Sequence, residues 1–501
     1  MSHDAQVIIL GAGPVGLAAA TLLASEGVQV AVIDRVRIPA HHPRASHVDD
    51  ETVRIMQALG LAHLEPDFVH YDSGSCYRIY DAHDRVVMEM PWGQLTEQGW
   101  WGDNQFFQPD VENTLRGRLQ TGPTVTTWFG WEVELAEQDE RGVTVAIRNV
   151  RTGDRRQLTA DYLIAADGVR SRGRALIGGE IENFNASHRS LILDVFELVP
   201  SDKVHETFTR ATAPNAVTCV PSARGIVRFE FMLTDADDVS DFEKPERWYE
   251  LLTPFYKPGD YRVERADVYS WDAVVPEEWR KGRVMIAGDA AHEMPPHMGQ
   301  GMCSGLRDAI NLAWKLALAV KGEAPETLLD TYATERRPHA RAYTQAAGAA
   351  ANAVAYLTAF PGDPNEPLPA AHVDLPEPRL GPGLHDGEPA PAGALSIQPV
   401  LADGRRLDDV VGYKFAVIGD ADVIAAVTDA TKAAWQRLGA VVLTEYPAQL
   451  HAWLDARGAK AEVVRPDRYL LGLAKDSADL DRLTKAIGLR DDRIPSAMAA
   501  G

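Results

Sequence analysis

Residues 6–20, Gln6-Val7-Ile8-Ile9-Leu10-Gly11-Ala12-Gly13-Pro14-Val15-Gly16-Leu17-Ala18-Ala19-Ala20, pass from an apolar run through a glycine turn into an alanine-rich run. The first run predicts a buried strand and the last a helix over Val15–Ser25. With a second strand at Gln29–Ile33 they make a βαβ unit. Gly11, Gly13 and Gly16 stand in GxGxxG spacing at its turn. Such glycines allow a tight turn, close approach of a pyrophosphate to the backbone and tight helix packing, while the helix N-terminus faces the anion. An acid about 20 positions on, at the end of the second strand, would hold a ribose, and Asp34 stands there. The glycines alone would suit an ordinary tight turn; the acid makes a bound dinucleotide the expectation.

Outward from this unit, a Pro- and His-rich loop (Pro39–Pro43) leads to a helix with Val53, Met56 and Leu59 on its apolar face, stopped at Gly60. Short alternating runs with tryptophans from Tyr77 to Trp101, and again from Arg189 to Tyr269, predict a mainly antiparallel sheet inserted into the α/β framework. Between them Gln108–Leu119 reads as a helix, Thr144–Ile147 as a strand and Tyr162–Ala166 as a buried strand. The framework returns at Arg283–Ala287, followed by a Gly/Pro/His loop and helices at Met302–Val320 and Leu328–Ala350. Residues 361–393 are dense in Pro and Gly, as in a linker or a surface wrap. Strand-like Tyr413–Gly419 and Ala440–Tyr446 beyond it predict a small separate α/β module.

Lys and Arg number 50 against 72 Asp and Glu, a net charge of −22. Such a balance repels phosphate backbones and anionic lipid, so neither nucleic acid nor a membrane is an expected partner. Three scattered cysteines, Cys76, Cys219 and Cys303, fit neither a disulfide scaffold nor a zinc site, and no metal is expected. The amino-terminal residues lack a signal peptide's basic and long apolar segments, and the expected location is the cytoplasm.

Two further strands end in acids: Leu163-Ile164-Ala165-Ala166-Asp167-Gly168, and Arg283-Val284-Met285-Ile286-Ala287-Gly288-Asp289, which runs on to Gly299-Gln300-Gly301. A carboxylate at the C-terminal edge of a parallel strand is placed to accept hydrogen bonds from a cofactor's hydroxyls. With these motifs in order, residues 5–350 resemble the class A FAD-dependent aromatic hydroxylases, the para-hydroxybenzoate and phenol hydroxylase family. The likeness is nearest to the 3-(3-hydroxyphenyl)propionate hydroxylases in PRASHVDDETVRIMQALGL, RFEFM and GQGMCSGLRDAINLAWKLAL. The last module resembles the thioredoxin-like appendage of several members, although no cysteine follows Cys303 to give it a redox role.

The resemblance implies a Rossmann-like α/β FAD-binding domain (residues 1–75, 105–185 and 270–350) interleaved with a substrate-binding sheet (76–104 and 186–269). A Pro/Gly linker (351–393) and a thioredoxin-like α/β domain (394–501) follow. It implies FAD as cofactor, NADH or NADPH as reductant, O2 as co-substrate, and a phenolic substrate of the hydroxyphenylpropionate kind. Gly11, Gly13 and Gly16 would hold the FAD pyrophosphate and Asp34 the ribose, while Arg44 and Gln108 would touch phosphate and ribitol. Asp289 would bind the ribitol, Asp167 would serve FAD and nicotinamide, and Gly299, Gln300 and Gly301 would pass along the flavin ring.

The substrate side is read from the residues themselves. A base must draw the phenolic proton, and His297, two positions before Gly299, is the first candidate and His47 the second. Trp92, Trp100, Trp101, Phe229 and Phe231 could line an aromatic pocket or simply fill a core. A substrate carboxylate would want Arg189, Arg210 or Arg228. The third unit could be a lid, a stability element or a contact in a homodimer. Alternatives are a hydroxylase of polycyclic aromatics, a halogenase, and a non-catalytic nucleotide-binding protein. The halogenase WxWxIP segment has only Trp271-Asp272-Ala273-Val274-Val275-Pro276 as a counterpart.

Overall fold

The computed structural model describes residues 3–39, 41–70, 75–360, 362–365, 376–386 and 391–490. Its framework is a six-stranded sheet in the spatial order Arg280–Lys281, Val284–Ile286, Tyr162–Ala165, Val7–Leu10, Val30–Asp34 and Val125–Phe129. The five strands from Val284–Ile286 to Val125–Phe129 run parallel. Burial of Val7–Leu10, Leu163–Ala165 and Val284–Ile286 follows from helices on the sheet faces: Pro14–Ser25 and Gln300–Val320 contribute Leu17, Leu306 and Ile310 to the same core. In-register pairing of Val7 with Tyr162 and Val30, and of Leu163 with Val284, brings the ends of four strands to one edge. Gly11, Asp34, Asp167 and Asp289 therefore border one edge although Gly11 and Asp289 are 278 residues apart in the chain.

The inserted sheet has seven strands, in the order Tyr261–Trp271, His188–Glu197, Ile226–Leu233, Val217–Pro221, Phe208–Arg210, Cys76–Tyr80 and Val86–Pro91. Only Phe208–Arg210 beside Cys76–Tyr80 is parallel. Alternation along the strands sorts its two faces. Leu191, Leu193, Phe229 and Phe231 pack with Phe242, Leu252 and Tyr256, while Ile192, Arg228 and Glu230 look towards the framework. The strand expected at Thr144–Ile147 is the centre of an antiparallel meander, Trp131–Gln138, Val143–Asn149 and Arg155–Ala160.

The helix expected to end at Ala350 continues to Ala359, because the alanine-rich run 346–359 is a strong helix former. Part of the Pro/Gly segment lies along this helix: Gly381 N donates to Glu335 O (2.9 Å), and Tyr343 Oη donates to Pro376 O (3.1 Å). Residues 366–375 and 387–390 of that segment, and 491–501 at the chain end, lie outside the described residues. The last module carries a four-stranded sheet ordered Val441–Leu443, Ala416–Gly419, Ala461–Val464 and Leu470–Ala474, with helices at Asp429–Leu438, Ala448–Asp455 and Ser477–Ala486. Among the described residues no helix is long and apolar enough to cross a membrane, and no cluster of three His, Cys, Asp or Glu is suited to a metal.

Candidate active site

At the first βα turn Gly11 has φ +95°, and a Cβ there would lie 2.2 Å from Ala166 O. A Cβ on Gly16 would lie 2.0 Å from Gly11 O. Asp34 accepts from Ala12 N and from Val36 N, both at 2.6 Å, so it braces the turn as well as bordering the cleft. Arg116, which the sequence reading passed over, donates to Ala12 O (3.1 Å) and lies over the Phe129 ring at 4.4 Å. Its signal was available: Gln108, Glu112 and Arg116 recur every fourth residue on one buried stripe of the helix Gln108–Thr121.

Gln108 reaches across to another loop. Its Oε1 accepts from Arg44 N (2.9 Å) and Ala45 N (2.7 Å), and its Nε2 donates to Glu112 (2.6 Å). Its side chain thus holds the loop from which the Arg44 side chain, 64% exposed, reaches into the cleft. The same loop is gripped from the inserted sheet by Arg228, which donates to Arg44 O and Pro43 O at 2.5 Å each.

Further along the edge, Asp167 Oδ2 accepts from Arg172 N (2.7 Å), while its Oδ1 is buried with no partner. Asp289 lies exposed on the cavity wall; Arg174 holds its carbonyl and that of Ala290. Asp308 accepts from Gly288 N (3.1 Å) and pairs with His292 Nε2 (2.7 Å), which gives His292 a structural task. Gly299, φ +64°, opens the helix Gln300–Val320 with no side-chain cap, leaving first-turn N–H groups for a ligand. The Gln300 side chain turns inward, donating to Asp49 (3.0 Å) and accepting from Arg307 (2.9 Å), so only its backbone serves the cavity. Arg307 also binds Glu51, whose other oxygen accepts from Tyr469 Oη (2.7 Å) of the last module.

Two glycines leave their space open. A Cβ on Gly13 would meet only Arg44 Nη2 at 3.4 Å, and one on Gly301 only Met294 Cγ at 3.6 Å. With the orphaned Asp167 oxygen they fit FAD: a groove that side chains would fill, donors for a pyrophosphate, and an acceptor for a hydroxyl. Gly301→Val is therefore expected to leave the melting temperature of the apoprotein unchanged and to weaken FAD binding at least tenfold, as read by flavin fluorescence titration.

Gly11, Gly13, Asp34, Arg44, Gln108, Arg116, Asp167, Asp289 and Gly299–Gly301 line one cavity of about 1750 Å³ that continues to the inserted sheet. Its far wall includes Tyr77, Met90, Trp92, Glu230, Tyr269 and Trp271. Three expected substrate residues are absent from it. Arg189 shares strand parity with Leu191, and Arg210 with Phe208, so both belong to the face turned away; Arg189 donates to Thr234 O (3.1 Å) and Arg210 pairs with Asp84. Trp101 does not line the cavity, and its place in the aromatic wall is taken by Trp92. Arg228 does line it, but its guanidinium holds Asp194 (2.7 and 3.0 Å) and the loop carbonyls. Phe229 and Phe231 are core.

The two histidines differ in state. Burial pulls His297 down to about 4, so it is neutral at pH 7; its Nε2 is buried without a partner and its ring meets Trp271 edge-on at 5.6 Å. For His47, burial opposes charging, but the contact with Asp103 Oδ1 (2.9 Å) outweighs it and holds the ring protonated. His47 lies beneath Gly299, where a Cβ would approach its Nδ1 to 2.5 Å, and it begins a stack with Trp92 and Tyr77, successive rings 5.6 Å apart.

Residues 4–347 match the FAD binding domain family, and residues 393–489 match the HcaD C-terminal domain family. The chain belongs to the class A FAD-dependent aromatic hydroxylases. A 3-(3-hydroxyphenyl)propionate/3-hydroxycinnamic acid hydroxylase of Klebsiella pneumoniae (strain 342) is 32% identical to this hydroxylase, covering 95% of this chain and 92% of that one. A probable NADH-specific resorcinol 4-hydroxylase of Rhodococcus jostii (strain RHA1) is 30% identical over 98% and 96%. In fold, the hydroxylase is similar to the flavin-dependent monooxygenase PieE (TM-score 0.80, 23% identity, 97% and 99% covered) and to aklavinone-11 hydroxylase (TM-score 0.75, 22%, 97% and 99%). The hydroxylase uses FAD with NADH or NADPH and acts with O2 on a phenolic aromatic substrate.

Proposed function

We propose that the substrate is a monocyclic phenolic acid of the hydroxyphenylpropionate or hydroxycinnamate kind, hydroxylated on its ring beside the existing hydroxyl. The observation that carries this is the continuity of one cavity from Gly11 and Asp34 past Gly301 to an aromatic wall of Tyr77, Trp92 and Trp271. Bound FAD supplies hydride acceptance and the activation of O2. The protein binds, orients and excludes water. Gly11, Gly13, Gly16 and Arg44 hold the pyrophosphate; Asp34, Asp167 and Asp289 hold hydroxyls. The N–H groups opening the helix at Gln300 carry about half a positive charge. With protonated His47 below Gly299, they would favour negative charge on a bound flavin.

A second reading, an uncharged dihydroxybenzene, is favoured by one observation: the substrate end holds Glu230, while Arg228 is committed to Asp194 and the loop. Charge separates the two readings. NAD(P)H oxidation with 3-(3-hydroxyphenyl)propionate, 3-hydroxycinnamate and resorcinol, scored for hydroxylated product against hydrogen peroxide, is expected to be coupled for the acids. Coupling with resorcinol alone would establish the uncharged reading, and no coupled phenol would reject both.

A further inference from the structure

We propose that Glu230 is the group that accepts the phenolic proton, a deduction that rests on the phenol reading above. The strand Ile226–Leu233 alternates Phe229 and Phe231 into the core with Arg228 and Glu230 onto the cavity face. A carboxylate in that position, only 8% exposed, would normally be met by a donor. Here Glu230 Oε1 is buried with no partner within hydrogen-bond distance; Ser190 Oγ on the adjoining strand is the donor that faces the carboxyl, and it draws the pKa down rather than up. An unmatched acceptor in a cavity built to take a hydroxylated ring is a place for the substrate's O–H.

The charged and titratable neighbours support that role. Arg228, two residues away on the same strand, is committed to Asp194. Tyr77 and Tyr269, from strands on either side, line the same cavity; burial pushes Tyr77 up to about 12 and Tyr269 upward as well, with Glu230 adding to both, so each keeps its proton. Tyr77 Oη is joined to Thr209 (2.8 Å) and Thr209 to Thr218 (2.7 Å), the direct cross-strand partner of Glu230. His47 is already protonated and His297 is too weak a base. Two other cavity carboxyls are raised by burial: Asp50 accepts from Glu51 N and stands at the start of a framework helix, and Glu293 accepts from Asp272 N (3.2 Å) and feels the charge of Arg174. Burial holds Glu230 near 7, against the pull of Arg228, which matches its proton affinity to neutral pH. In the step, the substrate O–H bond breaks and an Oε1–H bond forms. The electron pair stays on the phenolate oxygen and raises the nucleophilicity of the ring; nothing is oxidised or reduced.

The test uses the FAD-loaded wild type, Glu230→Gln and Glu230→Asp with whichever phenol couples best, and with a fluorinated analogue of lower pKa. E230Q is expected to keep FAD content, substrate affinity from the flavin difference spectrum, and the rate of flavin reduction by NAD(P)H. Its product formation at pH 7 should fall about 10²–10⁴-fold, with reducing equivalents diverted to hydrogen peroxide. The loss should shrink at high pH and for the fluorinated phenol, since both supply phenolate without a base, and E230D should recover part of it. Product formation at the wild-type rate with an unchanged pH profile overturns the proposal. So does an equal loss for both phenols at every pH, which would mark a structural role. If no phenol stimulates the wild type, the substrate reading itself fails, and the proposal with it.

Discussion

Gly16→Ala is expected to purify without FAD. The added methyl would sit 2.0 Å from Gly11 O, a backbone atom that cannot move without shifting the turn. Gly11 is held in turn by its own close approach to Ala166 and by its N–H to Ile33 O (2.8 Å), so the helix must retreat from the strand. Forcing a methylene into such a contact costs about 1–3 kcal/mol or more. The retreat also carries the helix N-terminus away from the pyrophosphate. The measurement is flavin absorbance per mole of protein together with urea unfolding of the apoprotein. Gly16→Ala should lose both flavin and stability, whereas Gly301→Val should lose flavin alone; retention of stoichiometric FAD by Gly16→Ala would refute the assignment of this turn.

Glu335→Ala is expected to destabilise the protein by about 3–5 kcal/mol, because it strips the counter-charge from two buried cations. Glu335 takes both nitrogens of Arg465 (2.9 and 2.7 Å), Lys315 Nζ (2.6 Å), Asn311 Nδ2 (2.9 Å) and Leu384 N (2.6 Å). Asp467 completes the neutral set, pairing with Arg465 and accepting from Asn311 and Trp314. Burial alone would raise the Glu335 pKa, but Arg465 and Lys315 outweigh it and hold it well below the usual range. A depressed folded pKa gives stability that is present above the unfolded value of about 4.3 and lost as pH falls below it. Acid unfolding of the wild type should therefore steepen below about pH 4, and Glu335→Gln should show a shallower limb. If Glu335→Ala unfolds within 1 kcal/mol of the wild type, roughly the size of an exposed pair, the cluster does not bind the last module to the framework.

This cluster, with Arg54 on Asp408 (2.7 and 3.0 Å) and Tyr469 on Glu51, joins the last module to the helices behind the Gly299–Gly301 loop. None of it was legible in the sequence. Arg465 and Asp467 look like surface charges in a loop, and Glu335 like one more polar residue on a long helix. The pairs that cross between the module and the framework, Glu335 with Arg465 and Asn311 with Asp467, are 130 and 156 residues apart.

The substrate wall failed to show for a different reason. Arg189, Arg210 and Arg228 looked equivalent, but a strand turns alternate side chains to opposite faces. Arg189 goes with Leu191 and Arg210 with Phe208, away from the cavity, while Arg228 and Glu230 go towards it. The pattern Arg228-Phe229-Glu230-Phe231 did carry that parity; what it could not say was which face was core and which was cavity.

By itself, the sequence determined the βαβ start, the glycine turn, the three acids that close framework strands and the helix after Gly299. Each depends on residues within one turn or one strand of each other, where periodicity and backbone freedom are local properties. Only the tertiary structure decided that Gln108 and Arg228 grip the Arg44 loop, that His47 is charged and His297 neutral, and that Glu230 Oε1 is buried without a hydrogen-bond partner. Those are outcomes of burial and of contacts between distant segments, and no spacing along the chain encodes them.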